Sequence, residues 1–286
     1  MNMKWVDEKH QKGFVRKKER DSWFRILGKK RRGQMKTEAD NNKYSRNRKQ
    51  RNCYGTQVFV TGASSGIGKA CAVYFAKKGC QVTGVSRHCT EGVKSYPGGG
   101  SLRMRRMDVT DDRSVEQVMN EIPRVDIAIL AAGMGVAGSA ECLPMEAAYE
   151  QMEVNYFGTL RVGSKVLGKM REQGKGLFLV IGSVAGRISV PMQSHYSASK
   201  YALEAYVEAV RMEMKQYGVR AVILEPGDTK TGFTEHRKHY EPEDSPYIEM
   251  ERASVAIMEH DEQTGGSPYT VARAAYKLAG KEHPPA

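Results

Sequence analysis

From Thr56 onward the apolar positions follow two alternating periods. "TQVFVTG" (56–62) is a β-branched run closed by glycine. "KACAVYFAKKG" (69–79) then repeats its apolar residues at helical spacing and stops at Gly79. "CQVTGVSR" (80–87) and "SLRMRRMDV" (101–109) are two further strands, and "PGGG" (97–100) is the turn before the second of them. A helix over "DDRSVEQVMNEI" (111–122) precedes a fourth strand, "VDIAILAAG" (125–133). The pattern predicts a long helix from about 144 to 173, a strand at "GLFLVIGS" (176–183) and a second long helix over 194–217. A sixth strand at "VRAVILEPG" (219–227) and a helix around 269–280 complete the series. Strands alternating with helices of these lengths imply βαβ units, an α/β Rossmann-type, doubly wound parallel sheet of six strands with helices on both faces.

Residues 1–52 lack any sustained period and read as a basic, disordered arm ahead of one domain over 53–286. The formal charge of +12 lies wholly in that arm, which holds 18 Lys/Arg against 6 Asp/Glu; the remainder balances 27 against 27. A neutral body gives no electrostatic support to nucleic-acid binding. The cysteines at 53, 71, 80, 89 and 142 form no CxxC pair and no zinc-spaced Cys/His set, so neither a metal nor a disulfide framework is expected. Without an apolar run of membrane length or a signal core, the expected location is cytoplasmic.

"VFVTGASSGIGKA" sets Gly62, Gly66 and Gly68 between a strand and a helix. Such a turn lets backbone N–H groups of Ser64, Ser65, Gly66, Ile67 and Gly68 approach a pyrophosphate at a helix N-terminus. The spacing G-x-x-x-G-x-G, followed in order by "MDV" (107–109), "NYFG" (155–158), "IGS" (181–183), "YSASK" (196–200) and "PGDTKT" (226–231), resembles the short-chain dehydrogenase/reductase family over about 56–232. The resemblance implies an NAD(P)-dependent oxidoreductase acting on CH–OH groups. It places Asp108 and Val109 at the adenine, Ala132 and Gly133 on the cofactor path, and Pro226, Gly227, Thr229 and Thr231 over the nicotinamide. It also implies a catalytic group of Asn155, Ser183, Tyr196 and Lys200. Two departures stand out. Leu130-Ala131-Ala132-Gly133 replaces the family's N-N-A-G and removes asparagine side chains that pin neighbouring strands, and Thr229 replaces a β-branched aliphatic.

A Y-x-x-x-K match occurs about once by chance in a chain of this length, and here there are two. Tyr74 with Lys78 sits in the helix after the glycine turn and reads as packing. Tyr196 with Lys200 has Ser183 13 residues upstream at a strand end and Asn155 on the preceding helix. A ketone that accepts hydride needs a proton on its oxygen, and a free phenol with pKa about 10 is a sluggish donor near neutrality. Lys200, one turn along, is expected to lower that pKa and to bond the nicotinamide ribose. Ser183 is expected to hydrogen-bond the carbonyl oxygen, and Asn155 to hold the water that brings protons to Lys200. His195, Met192 and Gln193 read as pocket lining.

The second strand ends "GVSRH" with no acid before Glu91, so Arg87, with Ser86, is placed to clamp a 2′-phosphate, and the expected cofactor is NADP rather than NAD. Ser65 occupies the place where the family often carries a further basic residue. Residues 228–265, with Phe233, Tyr240, Tyr247 and Ile248, read as a long connection over the substrate. Their character suggests a hydrophobic carbonyl or alcohol: lipid-, steroid- or acyl-like. The two long helices resemble the family's oligomer-forming pair, so a homodimer or homotetramer is expected, with no membrane span. The alternative reading is a non-catalytic NADP-binding regulator whose arm touches nucleic acid or a membrane surface. The family continues into a seventh strand where this sequence ends "KEHPPA", which would leave the strand at Arg220 as an open edge. Finally, Lys29–Met35 back-translates to AGGAGG six nucleotides before ATG, so translation is expected to begin at Met35 and residues 1–34 to lie upstream of the protein. The other readings of that stretch are a basic amphipathic helix around Trp23, Phe24, Ile26 and Leu27, and a nucleic-acid arm.

Overall fold

The computed structural model describes residues 55–281. The basic arm, the start at Met35 and the last five residues lie outside the described residues. Seven strands form one sheet in the order β3-β4-β2-β1-β5-β7-β8. They are β1 (Gln57–Thr61), β2 (Gln81–Ser86), β3 (Gly92–Ser95), β4 (Ser101–Arg106), β5 (Ile127–Leu130), β7 (Gly176–Ile181) and β8 (Val219–Leu224). All neighbours run parallel except β3, which returns antiparallel on β4. The six expected strands are therefore present. The seventh lies at the opposite edge from the one anticipated, because the "PGGG" turn folds the short stretch before it into a hairpin, with Tyr96 N–H donating to Gly100 at 2.8 Å. Among the described residues β8 ends the sheet.

Alternate strand residues feed two separate cores, as a parallel sheet covered on both faces requires. Phe59, Phe178 and Val180 point to the face covered by α2 (Asp112–Asn120), α4 (Gly158–Gln173) and α5 (Ser194–Met214). Val58, Val60, Leu177 and Leu179 point to the face covered by α1 (Gly66–Lys77) and α7 (Pro268–Ala279). Tyr74 belongs to this second layer. Its ring meets Tyr276 edge-on at 5.6 Å, and Lys78 caps it at 5.6 Å, so the first Y-x-x-x-K pair is packing.

Two features depart from the expected elements. The long helix over 144–173 is interrupted: α3 (Met145–Met152) passes into a π turn (Glu153–Phe157) before α4. The stretch 228–265 is largely ordered, containing β9 (Lys238–His239) and the 17-residue helix α6 (Ile248–Thr264). β9 pairs with β6 (Val136–Ala137) in a small parallel sheet. Strand order reverses between β1 and β5, so the crevice of this fold opens beyond their C-terminal ends. Among the described residues no helix is long and apolar enough to cross a membrane.

Candidate active site

At the end of β1 the chain turns through Gly62, whose φ of +67° is a left-handed conformation that disfavours any side chain. Gly68 is needed for a different reason: a Cβ there would stand 2.3 Å from the Gly62 carbonyl oxygen. The first turn of α1 carries no acidic residue, and Ser65 makes no side-chain cap. Its leading N–H groups are thus left for an anion, as pyrophosphate binding demands. Thr231 closes over the turn, its Cβ 3.4 Å from where a Cβ on Gly66 would lie. Ser64 and Ser65 are exposed beside it and Ile67 is half-buried.

The missing asparagines have a substitute. Thr61, buried at the end of β1, accepts the backbone N–H of both Ala131 (2.9 Å) and Ala132 (3.0 Å) through Oγ1. One hydroxyl therefore ties β1 to the end of β5 and holds the turn into Gly133. Asp108 has one carboxylate oxygen engaged by the Thr110 N–H (2.9 Å) and hydroxyl (2.8 Å). The Val109 carbonyl accepts from Arg161 at 2.8 Å. This turn is thereby fixed to α4.

At the outer end of β2, Arg87 is exposed and makes no ion pair among the described residues. Glu91, the nearest acid after it, is spent: it accepts the Arg106 N–H at 2.8 Å and pairs with Arg105 at 3.5 Å. The Arg106 bond, then Arg105, hold its carboxyl below the usual range. The β2–β4 register sets Arg106 directly beside Ser86. Sequence reading missed this second arginine, although "RMRR" at the end of a strand adjacent to β2 was a visible signal.

Beyond β7, Ser183 caps a 3₁₀ turn, accepting from the Ala185 N–H at 3.1 Å, and its hydroxyl is near enough to the Tyr196 phenol to favour the phenolate. Val184 N–H donates to the Pro226 carbonyl (3.1 Å), which brings the segment through Gly227 and Thr229 alongside. Lys200 is buried one turn along α5 from Tyr196. Its ammonium donates to the Ile181 carbonyl at 3.1 Å and lies 5.6 Å from the centre of the Tyr196 ring. Burial pushes Lys200 down to about 8. Burial pushes the Tyr196 phenol up, opposed by the Ser183 hydroxyl and by Arg237. In this conformation burial outweighs the groups that favour the phenolate, so the phenol is raised and not lowered as expected from Lys200.

Asn155 lies inside the π turn and is fully buried. Its Oδ1 accepts from Met134 N–H (2.9 Å), and its Nδ2 donates to the Met134 carbonyl (3.1 Å) and Ser199 Oγ (3.0 Å). A Cβ on Gly133 would stand 3.2 Å from Asn155 Oδ1 and 4.0 Å from Lys200 Nζ. Asn155, Lys200 and the Gly133 backbone thus meet at one point. Gln151, one turn earlier and also fully buried, grips the same strand, accepting from Val136 N–H and donating to Met134. Local distortion of the helix to a π turn places the two amides, a pattern common at functional sites. Met192, at φ 60°, accepts from Gly138 N–H at 2.9 Å through its backbone carbonyl, and His195 is half-buried.

A family model described as short chain dehydrogenase matches residues 56–242, well over half of the chain. This chain is a short-chain dehydrogenase. It is 35% identical over 234 residues to a 3-ketodihydrosphingosine reductase of Bacteroides thetaiotaomicron, covering 80% of this chain and 85% of the relative. It is 30% identical to retinol dehydrogenase 8 of Bos taurus, with 80% and 79% covered. Among solved structures it matches a short-chain dehydrogenase from Streptomyces avermitilis with a TM-score of 0.70 at 27% identity, covering 81% of this chain and 86% of that one. Membership makes this dehydrogenase an NAD(P)-dependent oxidoreductase acting on alcohol and ketone groups, in place of the non-catalytic regulator held as the alternative.

Proposed function

We propose that this dehydrogenase moves a hydride between NADP and a ketone or secondary alcohol on a lipid-like molecule, working in the cytoplasm as a homodimer or homotetramer. The observation that carries the proposal is the convergence of Ser183, Tyr196 and Lys200 beside the glycine turn. The bound nicotinamide supplies or accepts the hydride. Tyr196 gives its phenolic proton to the carbonyl oxygen, which Ser183 holds by a hydrogen bond as negative charge develops. Lys200, held near 8, exchanges protons readily around neutrality and re-supplies the phenol. Asn155 is a positioning residue: its side-chain bonds are all spent on Met134 and Ser199. Its own carbonyl takes the Thr159 hydroxyl at 2.8 Å.

NADP is favoured over NAD because Arg87 and Arg106 flank the end of β2 while Glu91 is already paired. Gly62, Ser64, Ser65, Gly66, Ile67 and Gly68 would hold the pyrophosphate. Asp108 and Val109 would meet the adenine, and Ala132, Gly133, Pro226, Gly227, Thr229 and Thr231 would line the nicotinamide side. A lipid-like substrate is supported by two relatives named for lipid-like molecules. Self-association is supported by Tyr149, Phe157, Tyr201 and Met212, exposed on α3 to α5. The deciding assay follows reduced-nicotinamide absorbance over a panel of ketones. Turnover of long-chain ketones with NADPH is expected; activity confined to short polar ketones, or equal rates with NADH, would refute the reading.

A further inference from the structure

Arg237 brings a buried charge close to the Phe233 ring, which meets Tyr196. Its side chain has no solvent exposure, and Nη2 is ion-paired to Glu262 Oε1. The second oxygen of Glu262 takes the Thr234 hydroxyl at 2.5 Å. Nε and Nη1 have no hydrogen-bond partner among the described residues. A buried donor without an acceptor is destabilising, more so on a charged group, and calls for an explanation.

The position of these nitrogens supplies one. The Phe233 ring stands 5.7 Å from the Tyr196 ring, and the Arg237 guanidinium lies 5.6 Å from the Phe233 ring centre. Nε is 3.7 Å from where a Cβ on Gly135 would stand, and that same Cβ would fall 2.8 Å from the Phe233 ring. Gly135 thereby leaves the room in which the ring and the guanidinium sit. Arg237 also acts electrostatically on the Tyr196 phenol, so the two belong to one site.

We propose that Arg237 determines substrate specificity by donating its unspent N–H groups to an oxygen that the substrate carries beyond its reacting carbonyl. The inference rests on the ketone-reducing function proposed above. Glu262 already neutralises the guanidinium, and Asp228 stands close enough to both Glu262 and Asp261 for their charges to interact. A second carboxylate would be repelled there, so the oxygen selected is uncharged: a hydroxyl. The enzyme then prefers hydroxylated long-chain ketones to plain ones.

The test compares a long-chain ketone with the same ketone bearing a hydroxyl two carbons from the carbonyl. kcat/KM is measured for the wild type, Arg237→Met, Glu262→Gln and Arg237→Met/Glu262→Met. Binding of the two corresponding alcohols to the protein–NADP complex is measured by calorimetry. The wild type is expected to prefer the hydroxylated ketone roughly ten- to a hundredfold, because a group hydrogen-bonded to a charged donor is hard to replace. The preference should fall below about threefold in both arginine variants and persist in Glu262→Gln. The double variant covers the case in which Arg237→Met fails to fold, since replacing both members of a buried pair is tolerated where breaking it is not. No preference in the wild type, an unchanged preference without Arg237, or equal losses for both ketones in all variants would overturn the proposal. If neither ketone turns over, the proposed function fails on its own. Calorimetry then still decides: Arg237-dependent binding of the hydroxylated alcohol upholds the inference, and equal binding of both alcohols overturns it.

Discussion

The glycine turn after β1 and the cover formed by residues 226–266 meet at one crevice but are built by opposite means. The turn is made of backbone. Gly62, Gly66 and Gly68 lie within seven residues of one another, and their roles follow from φ and from the space a Cβ would need. The cover is made of side chains reaching over long sequence distances. Glu251 of α6, fully buried, accepts from Ser139 N–H at 2.9 Å across 112 residues. Lys238 pairs with Glu150, and the Tyr247 hydroxyl with Glu141. A backbone-built site presents one geometry to every ligand that shares a pyrophosphate. A site built from paired side chains can be retuned by single substitutions, which suits the part of a dehydrogenase that chooses its substrate.

The largest separation between the two ends is expected from Tyr196→Phe. Losing the proton donor should lower kcat by roughly 10²–10⁴, while NADPH binding, read by fluorescence titration, stays nearly unchanged. Tyr74→Phe should be close to neutral in both assays, because the edge-on contact with Tyr276 survives. Comparable losses of binding and turnover in Tyr196→Phe would mean that the two ends cannot be separated.

Gly68→Ala attacks the other side. The new methyl would stand 2.3 Å from a backbone oxygen, so α1 must shift away from the turn. Overpacking of this kind costs about 1–3 kcal/mol, and NADPH affinity should fall about a hundredfold as the N–H groups leave register. Wild-type affinity in this variant would show that the turn is more plastic than its contacts imply.

Lys200→Met is expected to stabilise the cofactor-free protein while abolishing turnover. Burial lowers Lys200 from an ordinary 10.5 to about 8. Between those values the unfolded chain binds more protons than the folded one, so stability should rise with pH across roughly pH 8 to 10.5. Below that window the buried charge costs up to about 3 kcal/mol, which methionine removes. Thermal melts at pH 7 should therefore move up by several degrees and lose their rise at alkaline pH. A lower melting point would show that the Ile181 bond outweighs desolvation.

The smallest effect is expected from Arg87→Asp. Loss of a charge-assisted bond is worth about 1.5–3 kcal/mol, so the ratio of NADPH to NADH efficiency should drop ten- to a hundredfold. Arg106→Ala should lower the same ratio less. An unchanged ratio in both variants would place cofactor selection elsewhere.

The strands, the glycine turn, and the grouping of Ser183, Tyr196 and Lys200 were legible because each rests on short-range spacing: period two, period 3.6, or a fixed offset along one helix. The sheet edge was not, because hairpin β3 is a four-residue exposed strand whose partner, and not its composition, makes it a strand. Nor was the replacement of two asparagines by Thr61, since a hydroxyl at a strand end looks the same whether or not it caps β5. Gln151 and Glu251 carry no signal of burial in the sequence, and Glu251 lies in a stretch read as a connection. Only the packing of α3 and α6 against β6 and its following loop turns them inward. Arg237 and Glu262 stand 25 residues apart in a stretch of mixed charge, where any of several acids was an equal candidate. The sequence alone determined the fold and the offset that sets Lys200 one turn from Tyr196, because local backbone preference and helical offset act over a few residues. Tertiary structure decided the partners of Gln151, Glu251 and Arg237, because a buried polar side chain takes its partner from whatever the folded chain brings within about 3 Å.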